Sequence, residues 1–116
     1  MAYPTPMAIP PQSSSHTHTL ILLHGRGDSA TDFGSELLAS SRLPSRLPTV
    51  KFVFPTARER RAVILGRIPI NQWFDNYSLE DPGERTEIQV EGLCQTGKFL
   101  RELIDAEAAE LGGGNR

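Results

Sequence analysis

Thr19-Leu20-Ile21-Leu22-Leu23-His24-Gly25-Arg26-Gly27-Asp28 is the stretch whose reading decides the fold. A wholly apolar run stops at a histidine and a Gly-x-Gly-Asp turn. The run does not alternate between apolar and polar residues. That pattern predicts a strand over Thr19–Leu23 that is buried on both faces, as in a parallel sheet. Gly25 and Gly27 allow a sharp turn and a close backbone approach. Ligands of open α/β sheets sit just past the carboxyl ends of such strands. The floor of a functional site is therefore expected at His24–Asp28.

Downstream of the turn, helical spacing begins near Thr31 and runs to Ser41, with Phe33, Leu37, Leu38 and Ala39 turned to the sheet. Asp28 or Ser29 can cap this helix by accepting from its free amides. Pro44 and Pro48 then break the chain. Val50–Phe54 (VKFVF) reads as a second strand, ended by Pro55. Two strands joined through one helix make a βαβ unit, with parallel strands and a right-handed crossover. Arg58-Glu59-Arg60-Arg61 reads as a solvated basic loop, the rim of an anionic substrate site being the weaker alternative, and Ala62–Ile70 as a short strand or the arm of an edge hairpin. Asn71–Tyr77 holds three of the eight aromatic residues, suited to a core plug or a pocket wall. A polar loop is expected over 78–85 and a long helix over 84–111. Leu93, Leu100, Ile104 and Leu111 recur at helical spacing, joined by Val90, Phe99 and Leu103. Gly112-Gly113-Gly114 stops that helix.

Upstream, 1–16 is rich in proline and serine and reads as a disordered or extended arm that nothing in the sequence requires to dock on the domain. Residues 17–116 form the folded part, so the fold class is α/β: a parallel βαβ core plus a long C-terminal helix.

The totals bound the function. A chain of 116 residues supports one domain, and its net charge of -2 gives no basic footprint for nucleic acid. No apolar run is long enough for a transmembrane helix. Cys94 is the single cysteine, so an intrachain disulfide is excluded. Its usage and the lack of a secretory signal at the start lead us to expect a cytoplasmic location.

Four short patterns invite chemistry. His16-x-His18 has a metal-ligand spacing on a strand, but no third ligand is evident, so no metal is expected. Arg26-Gly27-Asp28 matches an integrin tripeptide, yet it follows a buried strand. The Gly25-x-Gly27 pair lacks the third glycine of a dinucleotide fingerprint and the Gly-Lys-Ser/Thr of a P-loop, and Asp28 would repel phosphate. No nucleotide or other cofactor is expected. Gly92-Leu93-Cys94-Gln95-Thr96-Gly97 imitates a nucleophile elbow with Cys94 as nucleophile, as in a dienelactone-type hydrolase. The polar residues before it and the helical periodicity through it favour a helix instead.

The assembled motifs resemble the acyl-protein thioesterase and carboxylesterase family, also named phospholipase/carboxylesterase, a group of small α/β-hydrolases. Leu20–Ser29 is similar to the family's LHGxGD, Val53–Ala57 to its strand and Pro-x-Ala turn, and Gln72-Trp73-Phe74-Asp75 to its WFD. The resemblance implies a serine hydrolase of carboxylic esters or acyl thioesters, with small molecules or S-acylated proteins as substrates. It implies that the Arg26 amide, where many members have leucine, is an oxyanion-hole donor. His24, Gly25, Gly27 and Asp28 form the motif turn, His24 in a structural role. Trp73, Phe74 and Asp75 are implied pocket-wall residues. The family's nucleophile lies in a Gly-x-Ser-x-Gly elbow on the strand after the long helix. No serine here stands in that pattern, and the sequence stops about where that strand is expected. The expectation is an N-terminal half of an α/β-hydrolase, inactive alone. The alternative is a non-catalytic product that binds acyl ligands or partners. Without the nucleophile strand, Thr19–Leu23 is expected to form an open apolar edge prone to edge-strand association.

Overall fold

The computed structural model describes residues 3–76, 83 and 85–111. Eight main elements follow one another: β1 (Met7–Ile9), β2 (His18–Ile21), α1 (Ala30–Ser41), α2 (Leu43–Arg46), β3 (Val50–Phe54), β4 (Glu59–Ala62), β5 (Ile68–Asn71) and α3 (Glu87–Glu110). A single 3-10 turn, Val63–Leu65, links β4 to β5. The first three strands form one sheet in the order β1-β3-β2, and β4 and β5 form a separate antiparallel hairpin. The architecture is mixed α/β, as expected, with a parallel strand pair and a long C-terminal helix.

The βαβ unit is present. β2 pairs parallel to β3, with Leu20 opposite Phe52 and Ile21 opposite Val53. α1 connects them, its first turn capped by the Ser29 side chain, which accepts from the Asp32 amide at 3.2 Å. Asp28 does not cap the helix; its Oδ1 accepts from the Ser29 amide at 2.8 Å. Phe33, Leu37 and Leu38 pack on a core of Ala30, Val50, Phe52 and Phe54. Ala39, expected on that face, is exposed. Pro44 does not end helical structure: it lies in the first turn of α2, where a missing N–H leaves no bond unmade.

Three expectations are corrected. The N-terminal arm is not structureless. Met7–Ile9 adds to the sheet antiparallel to β3, with Met7 opposite Phe54 and Ile9 opposite Phe52. Tyr3 stacks on Phe99 of α3 with ring centroids 3.9 Å apart. The prolines exclude a central strand but not a short edge strand, and β1 lies at a sheet edge. Second, the first core strand is shorter than Thr19–Leu23 and is not buried on both faces. β2 is the other edge, and Leu20 and Leu23 are about two-fifths exposed. Among the described residues no strand pairs with the outer side of β2. Third, the basic cluster is not a solvated loop. Glu59–Ala62 is a strand paired with Ile68–Asn71.

α3 was expected over 84–111 and runs over Glu87–Glu110. Arg85, at φ 49°, stands outside it. Its inward face matches the predicted stripe only in part: Phe99, Leu100, Leu103 and Leu111 are half-buried. Gly92 and Thr96 are buried, whereas Val90, Leu93 and Ile104 are about half exposed. The C-terminal end is held to β3 by Lys51, whose Nζ lies 3.0 Å from Glu107 Oε1 and 2.8 Å from Glu110 Oε2. Burial works to lower the Lys51 pKa, but its hydrogen bonds to Glu110 and Glu107 and their charges leave it raised. The hydrogen bond from Lys51 lowers that of Glu110. The polar loop expected over 78–85 falls outside the described residues except at 83 and 85, and the Gly112–Gly114 stop falls outside them entirely.

Candidate functional site

The chain leaves β2 through Leu22, whose amide still donates to Val53 O at 2.9 Å, and reaches His24. This histidine is buried. Its Nε2 accepts from the Ala57 amide at 2.9 Å, so the ring proton must be on Nδ1, which faces Gly25 O at 2.6 Å. With Nε2 already engaged, His24 is a strut between the first motif and the Pro55-Thr56-Ala57 segment.

The same segment supports the turn from other directions. Thr56 Oγ1 accepts from the Ala30 amide at 2.9 Å, a second cap on α1. Ala57 O accepts from Asn71 Nδ2 at 2.8 Å. Trp73 Nε1 donates to His24 O at 2.9 Å, and its ring lies 5.1 Å from the imidazole. The three stretches singled out in the sequence are thus one hydrogen-bonded unit. α3 presses on it from behind. Thr96 Oγ1 donates to Trp73 O at 2.5 Å, and a Cβ on Gly92 would lie 2.8 Å from Phe74 Cα. Only glycine lets the helix come so near.

Within the turn, Asp28 N donates to Gly25 O at 3.2 Å and Gly27 N to Asn71 O at 2.7 Å. Gly27 has φ +79°, where a side chain is strained. Gly25 does not have a positive φ, and a Cβ there would meet nothing within 4 Å. No acceptor among the described residues takes the Arg26 amide. Arg26 also lines a hollow of about 170 Å³, together with His24, Gly25, Gln72, Trp73 and Phe74.

The expected wall residues divide. Trp73 and Phe74 line the hollow, while Asp75 is not among its lining residues. Asp75 is a backbone anchor: Oδ1 accepts from the Asn76 amide at 2.9 Å and Oδ2 from the Val63 amide at 3.2 Å. The Arg26 side chain turns inward, donating to Gln72 Oε1 and Asn76 Oδ1, with Asp75 Oδ1 at 3.9 Å. Gln72 and Asn76 are both buried. Sequence reading missed Asn76; nothing distinguishes it from an ordinary loop asparagine until the fold brings Arg26 beside it.

The other chemical patterns come to little. Cys94 is exposed in the middle of α3, whose helix runs without a break through Gly92–Gly97, so no elbow exists there. His16 Nε2 is bonded to Thr19 Oγ1 at 2.8 Å and His18 Nδ1 to Thr17 Oγ1 at 3.0 Å. No group of three or more metal-ligating side chains gathers among the described residues.

The sequence profile described as Phospholipase/Carboxylesterase matches residues 5–115. The chain belongs to that family. Among relatives, it is 34% identical over 97 residues to acyl-protein thioesterase 1 of Schizosaccharomyces pombe, covering 84% of this chain and 40% of the relative. To acyl-protein thioesterase 1 of Mycosarcoma maydis it is 35% identical over 92 residues, covering 78% and 37%. Among solved structures, acyl-protein thioesterase 2 of Zea mays superposes with a TM-score of 0.69 at 30% identity, covering 87% of this chain and 40% of that one. Esterase PE8 superposes with a TM-score of 0.64 at 25% identity, covering 95% and 47%. The chain therefore spans about 40% of the length of the family members it matches. No helix among the described residues is long and apolar enough to cross a membrane.

Proposed function

We propose that this chain supplies the oxyanion donor and one wall of the acyl pocket to a serine hydrolase of carboxylic esters or acyl thioesters. The unpaired Arg26 amide carries the reading. It sits in a turn fixed on every side, beside a hollow walled by Trp73 and Phe74. A donor held in place before reaction stabilises the negative oxygen of a tetrahedral intermediate without reorganising. The loss of one such donor costs about 3–4 kcal/mol in rate. The names of the relatives support the thioester class.

The nucleophile is the part this sequence does not supply, because none of its serines stands in Gly-x-Ser-x-Gly. By itself the 116-residue chain should be inert toward palmitoyl thioesters and p-nitrophenyl esters, and unlabelled by a fluorophosphonate. The source transcript should be sequenced past the Arg116 codon and its longest product expressed. That product is expected to be labelled and to hydrolyse one of the two substrate classes. A longer product inert to the label and to both substrates overturns the proposal, as does turnover by the 116-residue chain itself.

A further inference from the structure

We propose that the Arg26 guanidinium is a positioning group, a clamp that holds the Arg26 amide open toward the hollow by tying the 25–28 turn to the 72–76 turn. The inference rests on the oxyanion reading and deepens it, because the side chain of the donor residue fixes its own backbone.

The planar guanidinium has five N–H groups in a fixed fork. Here Nη1 donates to Gln72 Oε1 and Nη2 to Asn76 Oδ1, so one side chain spans two residues four apart. The acceptors are themselves fixed. Gln72 Nε2 contacts Arg60 O and Asp75 Oδ1, each at 3.4 Å, which leaves the Gln72 oxygen facing Arg26. Asp75, held by the Val63 and Asn76 amides, places its charge 3.9 Å from Arg26 Nη1. The Phe74 ring lies 5.9 Å from the guanidinium carbon. The positive charge is thus taken up by protein groups. A leucine could occupy the space but would leave the Gln72 and Asn76 oxygens, both in buried residues, without this donor.

The backbone ties lie on both sides of the donor. His24 O accepts from Trp73 Nε1 on one side, and Gly27 N donates to Asn71 O on the other. The Arg26 amide lies between them. The side-chain clamp reaches past both ties to the far end of the 72–76 turn. The turn therefore cannot tip to bring the Arg26 amide to an internal acceptor unless the clamp opens.

The reporter is the Gly27 amide, which is hydrogen-bonded and adjacent to the donor. Its hydrogen exchange is measured by NMR in the 116-residue chain, against the Leu22 amide, which pairs with β3. Arg26→Leu should speed Gly27 exchange at least tenfold and leave Leu22 within twofold. Arg26→Lys should recover part of the protection, since one ammonium cannot span both oxygens. Asn76→Ala, which removes one acceptor and leaves Arg26 in place, should give an intermediate rate and keeps the test decisive if Arg26→Leu does not fold. Unchanged Gly27 exchange in both Arg26→Leu and Asn76→Ala overturns the clamp. So does a parallel rise at Leu22, which would mark a general loss of stability. A large shift of the Arg26 side-chain resonances on adding millimolar octanoate, without a change in Gly27 exchange, would assign the guanidinium to ligand binding and also overturn the clamp. An inert longer product with Gly27 exchange that still depends on Arg26 would sink the oxyanion reading and leave the clamp standing.

Discussion

On one face of β3, Val50, Phe52 and Phe54 meet α1, the arm and α2 through apolar side chains alone. On the other face Lys51 reaches Glu107 and Glu110. Nearby, α3 rests on the Trp73–Phe74 turn through Gly92 and Thr96. Strand alternation sends neighbouring residues to opposite faces, so five consecutive residues serve both contacts. The α1 face is a core closed by area removed from water. The α3 contacts combine close backbone approach, the stacking of Phe99 on Tyr3 and Trp73, hydrogen bonds at Thr96 and Gln95, and ion pairs, while Val90, Leu93 and Ile104 stay about half exposed. The site hangs between these regimes: His24 follows β2 of the first by three residues, and Trp73 and Phe74 are pressed by the helix of the second.

The comparison breaks most readily at Phe52, which is fully buried. Phe52→Ala should cost about 3–5 kcal/mol, a large share of the roughly 5–15 kcal/mol that holds a typical domain together. Urea unfolding followed by far-ultraviolet circular dichroism should show a collapsed or absent transition. A loss under about 1 kcal/mol would mean that the α1 face is not the main core.

Two glycines of α3 sharpen the other contact. Gly92→Ala would put a Cβ 2.8 Å from Phe74 Cα, so helix and turn must part. Overpacking of this kind costs about 1–3 kcal/mol, against a gain in helix propensity of roughly 1 kcal/mol. A Cβ on Gly97 meets nothing within 4 Å, so Gly97→Ala should keep the propensity gain alone. Urea midpoints are expected to move down for the first and up for the second. Movement in the same direction would deny the close approach at Gly92.

The smallest effect is one of pH. Glu110 has a lowered pKa in the folded chain, so its contribution is whole above 4.5 and is lost as pH falls through the folded value. Lys51 has a raised pKa, so its contribution is whole below 10.5 and is lost as pH rises through its folded value. Glu110 is half exposed and solvent screens the pair, which keeps the effect modest. Protection of the 103–110 amides, taken relative to their intrinsic exchange at each pH, should be greatest between these limits and fall outside them, with Phe52 less affected. Lys51→Met should flatten that dependence.

Much of the first face was legible because its signals are local. The mostly apolar β3, the proline after it, and Phe33, Leu37 and Leu38 at helical spacing each state their own environment. The arm was misread because composition reports the cost of ordering Met7–Ile9 and not the strand waiting to receive it. α3 was placed correctly but its inner face was read only in part: Phe99, Leu100 and Leu103 are half-buried as the spacing implies, whereas Gly92 and Thr96 face inward for closeness and for a hydroxyl bond. At the site, the turn glycines and the Trp73–Phe74 wall were readable as motifs. The inward course of Arg26 was not, since it depends on Gln72 and Asn76, 46 and 50 residues away.

Every member of the α1-face cluster lies between Met7 and Phe54. Synthesis proceeds from the N-terminus at about 5–20 residues per second. The last residue of α3 in order, Glu110, thus follows Phe54 by roughly 3–11 s at that pace. For those seconds the nascent chain already holds all the side chains needed to build one oily centre, and the His24 turn is anchored to it before Gly92 arrives. The order of birth makes the His24–Asp28 turn an early feature of the protein, and the helix behind Trp73 and Phe74 a later arrival.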